Sequence, residues 1–150
     1  MRIGSRYSDE AVVANFDGAE KTEIATAVYK RDSQALAEPI EIFSSNGLRK
    51  AVTSKKYGDK LAVWNPTEFK YPFLVAMRNT FDADGNASGG YVYFIQWNGE
   101  SYEEVWKSNR IDDSVIDMQV CDPKGEGKPG LVILSADKKG CYLTKIVHVN

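Results

Sequence analysis

The chain has 150 residues, 43% of them hydrophobic and 27% charged, which suits a single domain with a sizeable core and argues against disorder. A formal net charge of -2 offers no basic face for nucleic acid, and no apolar run approaches the length of a membrane span. The one histidine, His148, excludes His-rich metal sites and argues against a His-dependent triad, while Cys121 and Cys141 are too few for a disulfide scaffold. The two cysteines read as free thiols packed as small hydrophobes, with a bridge inside one repeat as the other reading.

Met1 to Ser8 is short and polar. Ala11-Val12-Val13-Ala14 is a first apolar strand and leads into the turn Asn15-Phe16-Asp17-Gly18. Glu23 to Tyr29, dense in Ile, Thr and Val, reads as a second strand, and Lys30 to Glu38 as a polar loop. Pro39 to Phe43 alternates as a half-buried strand should. Asn46-Gly47 then predicts a type I′ hairpin, with Leu48 to Ser54 returning as a fourth strand.

A second unit repeats this order, with Leu61 to Trp64 as its first strand and Phe73 to Arg78 as its second. An insertion, Asn79 to Gly90, precedes the third strand Tyr91 to Trp97; Asn98-Gly99 repeats the hairpin signal, and Ser101 to Ser108 is the fourth strand. The third unit runs from Val115 to Cys121, through the charged turn from Asp122 to Pro129, to Leu131 to Ser135 and then Cys141 to Val149.

Three units at a spacing of roughly 50 residues make a repeat protein without sustained helical periodicity. Short strands with repeated hairpin turns predict an all-β fold of four-stranded antiparallel propeller blades. The units are about 9–54, 59–108 and 114–150, with 1–8 as a closing strand, because the third unit lacks a fourth strand and Met1 to Ser5 has the register of one. Propellers close with about four to eight blades. Three blades therefore predict half of a six-bladed ring closed by homodimerisation, the alternative being a piece of a longer chain.

The turns Asn15-Phe16-Asp17-Gly18-Ala19-Glu20-Lys21-Thr22-Glu23 and Asp122 to Val132, each followed by an apolar strand, resemble the FG-GAP/VCBS-type β-propeller repeat; Asn65 to Leu74 keeps its spacing. The resemblance implies a propeller and a turn that in other members holds Ca²⁺. Carried over, it offers Asn15, Asp17 and Glu23 as ligands in the first turn, though Ala19 stands at a ligand position. In the third turn Lys124 and Gly130 replace two acids, and an ammonium there can neutralise the turn itself. The alternative is that these turns hold strands by side-chain-to-backbone hydrogen bonds. The resemblance implies an extracytoplasmic setting if a leader has been removed, and a cytoplasmic one otherwise.

Outside the repeats, Asp82, Asp84, Asn86 and Ser88 alternate around Gly85 as in calcium loops, without the distal Glu of an EF-hand. A solvated hairpin tip is the competing reading. Trp64, Trp97, Trp106, Tyr91, Tyr93 and Tyr102 could stack on sugar rings, but packing between sheets accounts for them more simply. The pairs Glu103-Glu104 and Asp112-Asp113 do not make a catalytic pair, since neighbours on a strand point to opposite faces. These readings converge on a non-enzymatic recognition or scaffold module presenting loops to a protein or glycan. A polysaccharide-active propeller enzyme and a calcium-stabilised adhesion module are the alternatives.

Overall fold

The structure is a computed structural model that describes residues 2–3, 6–30, 39–58, 60–122, 124–137 and 139–146. Among them the regular elements are strands: β1 (Arg2–Ile3), β2 (Arg6–Ala14), β3 (Glu23–Lys30), β4 (Pro39–Ser44), β5 (Arg49–Lys56), β6 (Lys60–Trp64), β7 (Phe73–Phe81), β8 (Ala87–Trp97), β9 (Tyr102–Lys107), β10 (Ser114–Cys121), β11 (Gly130–Asp137) and β12 (Gly140–Ile146). They form three open antiparallel sheets in sequence order, β1 to β5, β6 to β9 and β10 to β12. The all-β expectation is met, with three antiparallel sheets among the described residues.

The apolar run at the start of β7 explains how the sheets stack. Phe73, Leu74, Val75, Ala76 and Met77 are all buried, although a strand turns successive side chains to opposite faces. Leu74 and Ala76 enter a core shared with Ala25, Ile42 and Phe16 of the first sheet. Phe73, Val75 and Met77 enter a second core with Met118, Leu131 and Ile133 of the third. The middle sheet is thus covered on both faces. Its first strand, β6, lies beside β2 on one side and β10 on the other, while the last strands β5 and β9 meet at the opposite rim.

The three turns singled out by the repeat come together at one end of this stack. A Cβ on Gly18 would lie 2.9 Å from the Tyr71 ring, so the first turn abuts the second. Asn65 to Glu68 in turn face Gly127 to Pro129 of the third across a hollow of about 290 Å³.

Four expectations need correction. Arg2 and Ile3 pair with Tyr7 and Arg6, at the edge of the first sheet, rather than completing a later one. The 79–90 insertion is largely an extension of β7 and β8, paired from Asn79↔Gly90 to Phe81↔Ala87, which leaves only the tip as a turn. Asn46 does not take a positive φ; of the two turn residues Gly47 alone does, at 83°. The Gly47 N–H donates to Ser44 O at 2.8 Å, and the Ser44 N–H donates to Leu48 O at 2.9 Å, giving a three-residue loop with one left-handed glycine rather than a type I′ turn. Finally, Ile40, Glu41 and Ile42 are all buried, so β4 does not alternate as a half-buried strand. The predicted loop at 31–38 and the end of the predicted strand at 147–149 lie outside the described residues.

Candidate functional site

Two of the three proposed ligands of the first turn, Asp17 and Glu23, come together around a cation that the chain supplies itself. Lys50, at the start of β5, places its ammonium 2.6 Å from Asp17 Oδ2 and in direct contact with Glu23 Oε1. Glu23 is only 1% exposed, and its other oxygen accepts the Phe16 N–H at 3.0 Å and the Asp17 N–H at 3.2 Å. The Tyr102 hydroxyl, from β9 of the second sheet, donates to Glu23 Oε1 at 3.2 Å. Asn15 is not turned to this cluster by its amide, which donates to Ala19 O, while the Ala19 N–H donates to Asp17 Oδ1 at 2.8 Å.

Electrostatics follow from this geometry. Burial pushes the Asp17 carboxyl up, but the Lys50 ammonium and the Ala19 N–H outweigh it and hold the group below its ordinary value. Hydrogen bonds to Asp17 and Glu23 raise Lys50 above its own. Burial first, then the Glu23 and Asp17 charges, pushes Tyr102 well up, so its hydroxyl stays a donor. This cluster seals the turn end of the seam between the first two sheets.

The 82–86 segment is a hairpin tip, and Ser88 already belongs to β8. Asp82 Oδ1 accepts the N–H groups of Asp84 and Asn86, each at 2.9 Å, and the Asp82 N–H donates to Asn86 O at 2.9 Å. Ser88 contributes its carbonyl, which accepts from Thr80 Oγ1 at 3.0 Å and from the Arg110 guanidinium. In the third turn Asp122 Oδ2 likewise accepts the Gly127 N–H at 2.6 Å. No group of three or more His, Cys, Asp or Glu among the described residues is arranged to hold a metal ion. Cys121 is half-buried and Cys141 exposed, and both are free thiols.

The opposite end of the same seam is open, and there the sheets build a groove. Its larger hollow, about 330 Å³, is lined by Lys55, Lys56 and Tyr57 from the end of β5, Arg78 from β7, Tyr93 from β8, and Glu104 and Lys107 from β9. A second hollow of about 260 Å³ continues past Arg78 and Tyr93 to Asn79, Thr80, Phe81 and Tyr91. Gly58 makes this convergence possible. It joins the first sheet to the second with φ 123°, and a Cβ there would meet Met77 O at 2.4 Å. That close approach brings Tyr57 against the sheet carrying Arg78.

Within the groove the Lys107 ammonium lies 4.0 Å above the Tyr91 ring, a cation–π contact that fixes its position. Tyr57 and Tyr93 meet edge to face at 5.1 Å. Arg78 Nη1 donates to Lys56 O at 3.3 Å, and Lys55 reaches Glu104 at 3.4 Å. Burial and then the Glu104 charge raise Tyr57 to about 12; burial also raises Tyr93. Both phenols remain neutral donors through the physiological range. Four cations against one carboxylate leave the described lining positive.

Sequence reasoning marked Tyr91 and Tyr93 as packing residues, and Trp64 and Tyr102 indeed are buried. It missed the cations, because Lys55, Lys56, Arg78 and Lys107 are scattered over three strands and become neighbours only through sheet stacking. Alternation was the usable signal: Tyr91, Tyr93 and Lys107 fall at positions that a strand turns to the first-sheet side. No family model, no curated protein and no solved structure matches the chain.

Proposed function

We propose that the chain is a non-enzymatic recognition module of the β-propeller type, three blades that a second copy completes, with its ligand received in the Arg78 groove. One observation carries this reading: two sheets converge tyrosine rings, three lysines and an arginine on a single open hollow. Pockets that bind combine ring surface with a few fixed polar groups in this way. Acid–base catalysis on a glycoside uses two carboxylates facing one bond, whereas among the described residues the groove lining has Glu104 as its one carboxylate, its neighbour Glu103 lying exposed on the other face of β9. The propeller reading is supported by the adjacency of the first strands β2, β6 and β10 and by the three repeat turns gathered at one end.

The test is a screen of the chain on glycan and peptide arrays beside a double variant, Arg78→Ala with Lys107→Gln. Ligands retained by the wild-type chain and lost by the variant are the expected result. A ligand bound equally by both would remove the groove from its role.

A further inference from the structure

We infer that the groove takes an acidic oligosaccharide, with a carboxylate or sulfate of the ligand seated on Arg78 between two sugar rings. The inference rests on the groove being the ligand site and adds its chemical class. Arg78 and Tyr93 line both hollows, so they stand at the junction of two adjoining chambers. A ligand filling both must pass over the guanidinium, whose planar fork matches the oxygens of a carboxylate or sulfate. Among the described residues, one donor of that fork is engaged, on Lys56 O at 3.3 Å.

Each chamber then offers what a sugar ring needs. In one, the half-buried Tyr93 presents its ring, held edge to face by the buried Tyr57 behind it at 5.1 Å. In the other, Tyr91 and the 40%-exposed Phe81 present apolar surface to the C–H face of a ring. Lys107, held over Tyr91 and 5.7 Å from Tyr93, adds a second positive charge close to the junction. An acidic peptide would satisfy the charges, but it has no flat repeating unit to match the paired aromatic chambers. The same rings make a purely polar anion such as free phosphate a poor fit.

Isothermal titration decides the class, with four probes: a heparin-derived hexasaccharide, an oligogalacturonate, an uncharged cello-oligosaccharide and an Asp/Glu-rich decapeptide. Binding by one or both acidic saccharides is expected, weakening as salt rises, and the sulfated and carboxylated arms identify which anion is used. Arg78→Ala should reduce the affinity about tenfold or more, as loss of a charge-assisted bidentate contact does. Lys107→Gln, which removes an exposed charge without touching a backbone partner, should reduce it several-fold while the far-UV spectrum stays unchanged. If the decapeptide or the uncharged saccharide binds better, and the variants abolish that binding, the class is wrong while the groove remains the site. If the acidic saccharides bind with affinity unchanged by either variant, or if none of the four probes binds, the inference falls, and in the first of these cases the groove falls with it.

Discussion

Lys50 does at the first turn what a divalent cation does in other carboxylate-rich turns. It neutralises Asp17 and the buried Glu23 from a strand 27 residues beyond the latter. Replacing it by Met would leave Glu23 buried and without its counter-ion, and is expected to destabilise the fold by roughly 2–4 kcal/mol, measured by urea denaturation. The sign of the pH dependence follows from the shifts. Lys50 is raised, so its contribution is complete below its ordinary value of 10.5 and is lost as pH climbs through the folded value. Asp17 is lowered, so its contribution is present above 3.8 and lost as pH falls through its depressed value. Lys50→Met should therefore flatten both flanks of the stability profile, and a variant with unchanged flanks would show that the contact carries no stability. Asp17 and Glu23 could be read from the turn motif as convergent acids. Their cation could not, because nothing local couples Lys50 to them; the pairing needs β5 to return beside the turn.

At the scale of elements, two glycines that look alike in the sequence carry different burdens. Gly47 has φ 83° with nothing within 4 Å of where a Cβ would stand, so Ala there should cost only the left-handed penalty, about 1 kcal/mol. Gly58 has φ 123°, and a Cβ would press on Met77 O at 2.4 Å and on the Arg78 Cβ at 2.8 Å. Gly58→Ala is expected to cost about 3 kcal/mol or more and to displace Tyr57 from the groove. Thermal unfolding of the two variants separates the cases; equal losses would mean that the inter-sheet approach is not tight. Hairpins were legible because Asn-Gly steps punctuate the chain, although their turn geometry was not: a three-residue loop needs only one residue at positive φ. The 79–90 stretch looked inserted because its Asp, Gly and Ser dominate the composition, whereas Asn79 and Thr80 hold it in the ladder. The Asn79 side chain also clamps the start of β10, donating to Val115 O at 2.9 Å and accepting its N–H at 3.1 Å.

For the whole molecule, the contrast between the middle sheet and its neighbours is the informative feature. By register, Val13, Ile24 and Phe43 share the outer face of the first sheet with Val52, and Val13 and Val52 are 60% and 44% exposed. Val132 and Leu134 occupy the outer face of the third, opposite Gln119 and Asp117. Such apolar rows are what the two internal seams bury. The proposed dimer would bring one of these faces onto the other in the partner, at two equivalent seams. Light scattering is expected to give twice the 16.7 kDa of one chain, with Val13→Lys plus Val52→Lys reducing it to a single chain. A wild-type mass of 16.7 kDa across the accessible concentrations would overturn the closure. The number of sheets was legible from the repeat because each turn motif recurs once per unit. Which faces touch was not, since stacking order depends on side chains from sheets far apart in the chain.

The double-sided burial of β7 has a corollary. A sheet that meets the same kind of neighbour on either side is an interchangeable unit, and its stability is a sum of its own terms and two seam terms. The groove is lined wholly by residues of the first two sheets, so changes confined to the third sheet should leave its lining intact.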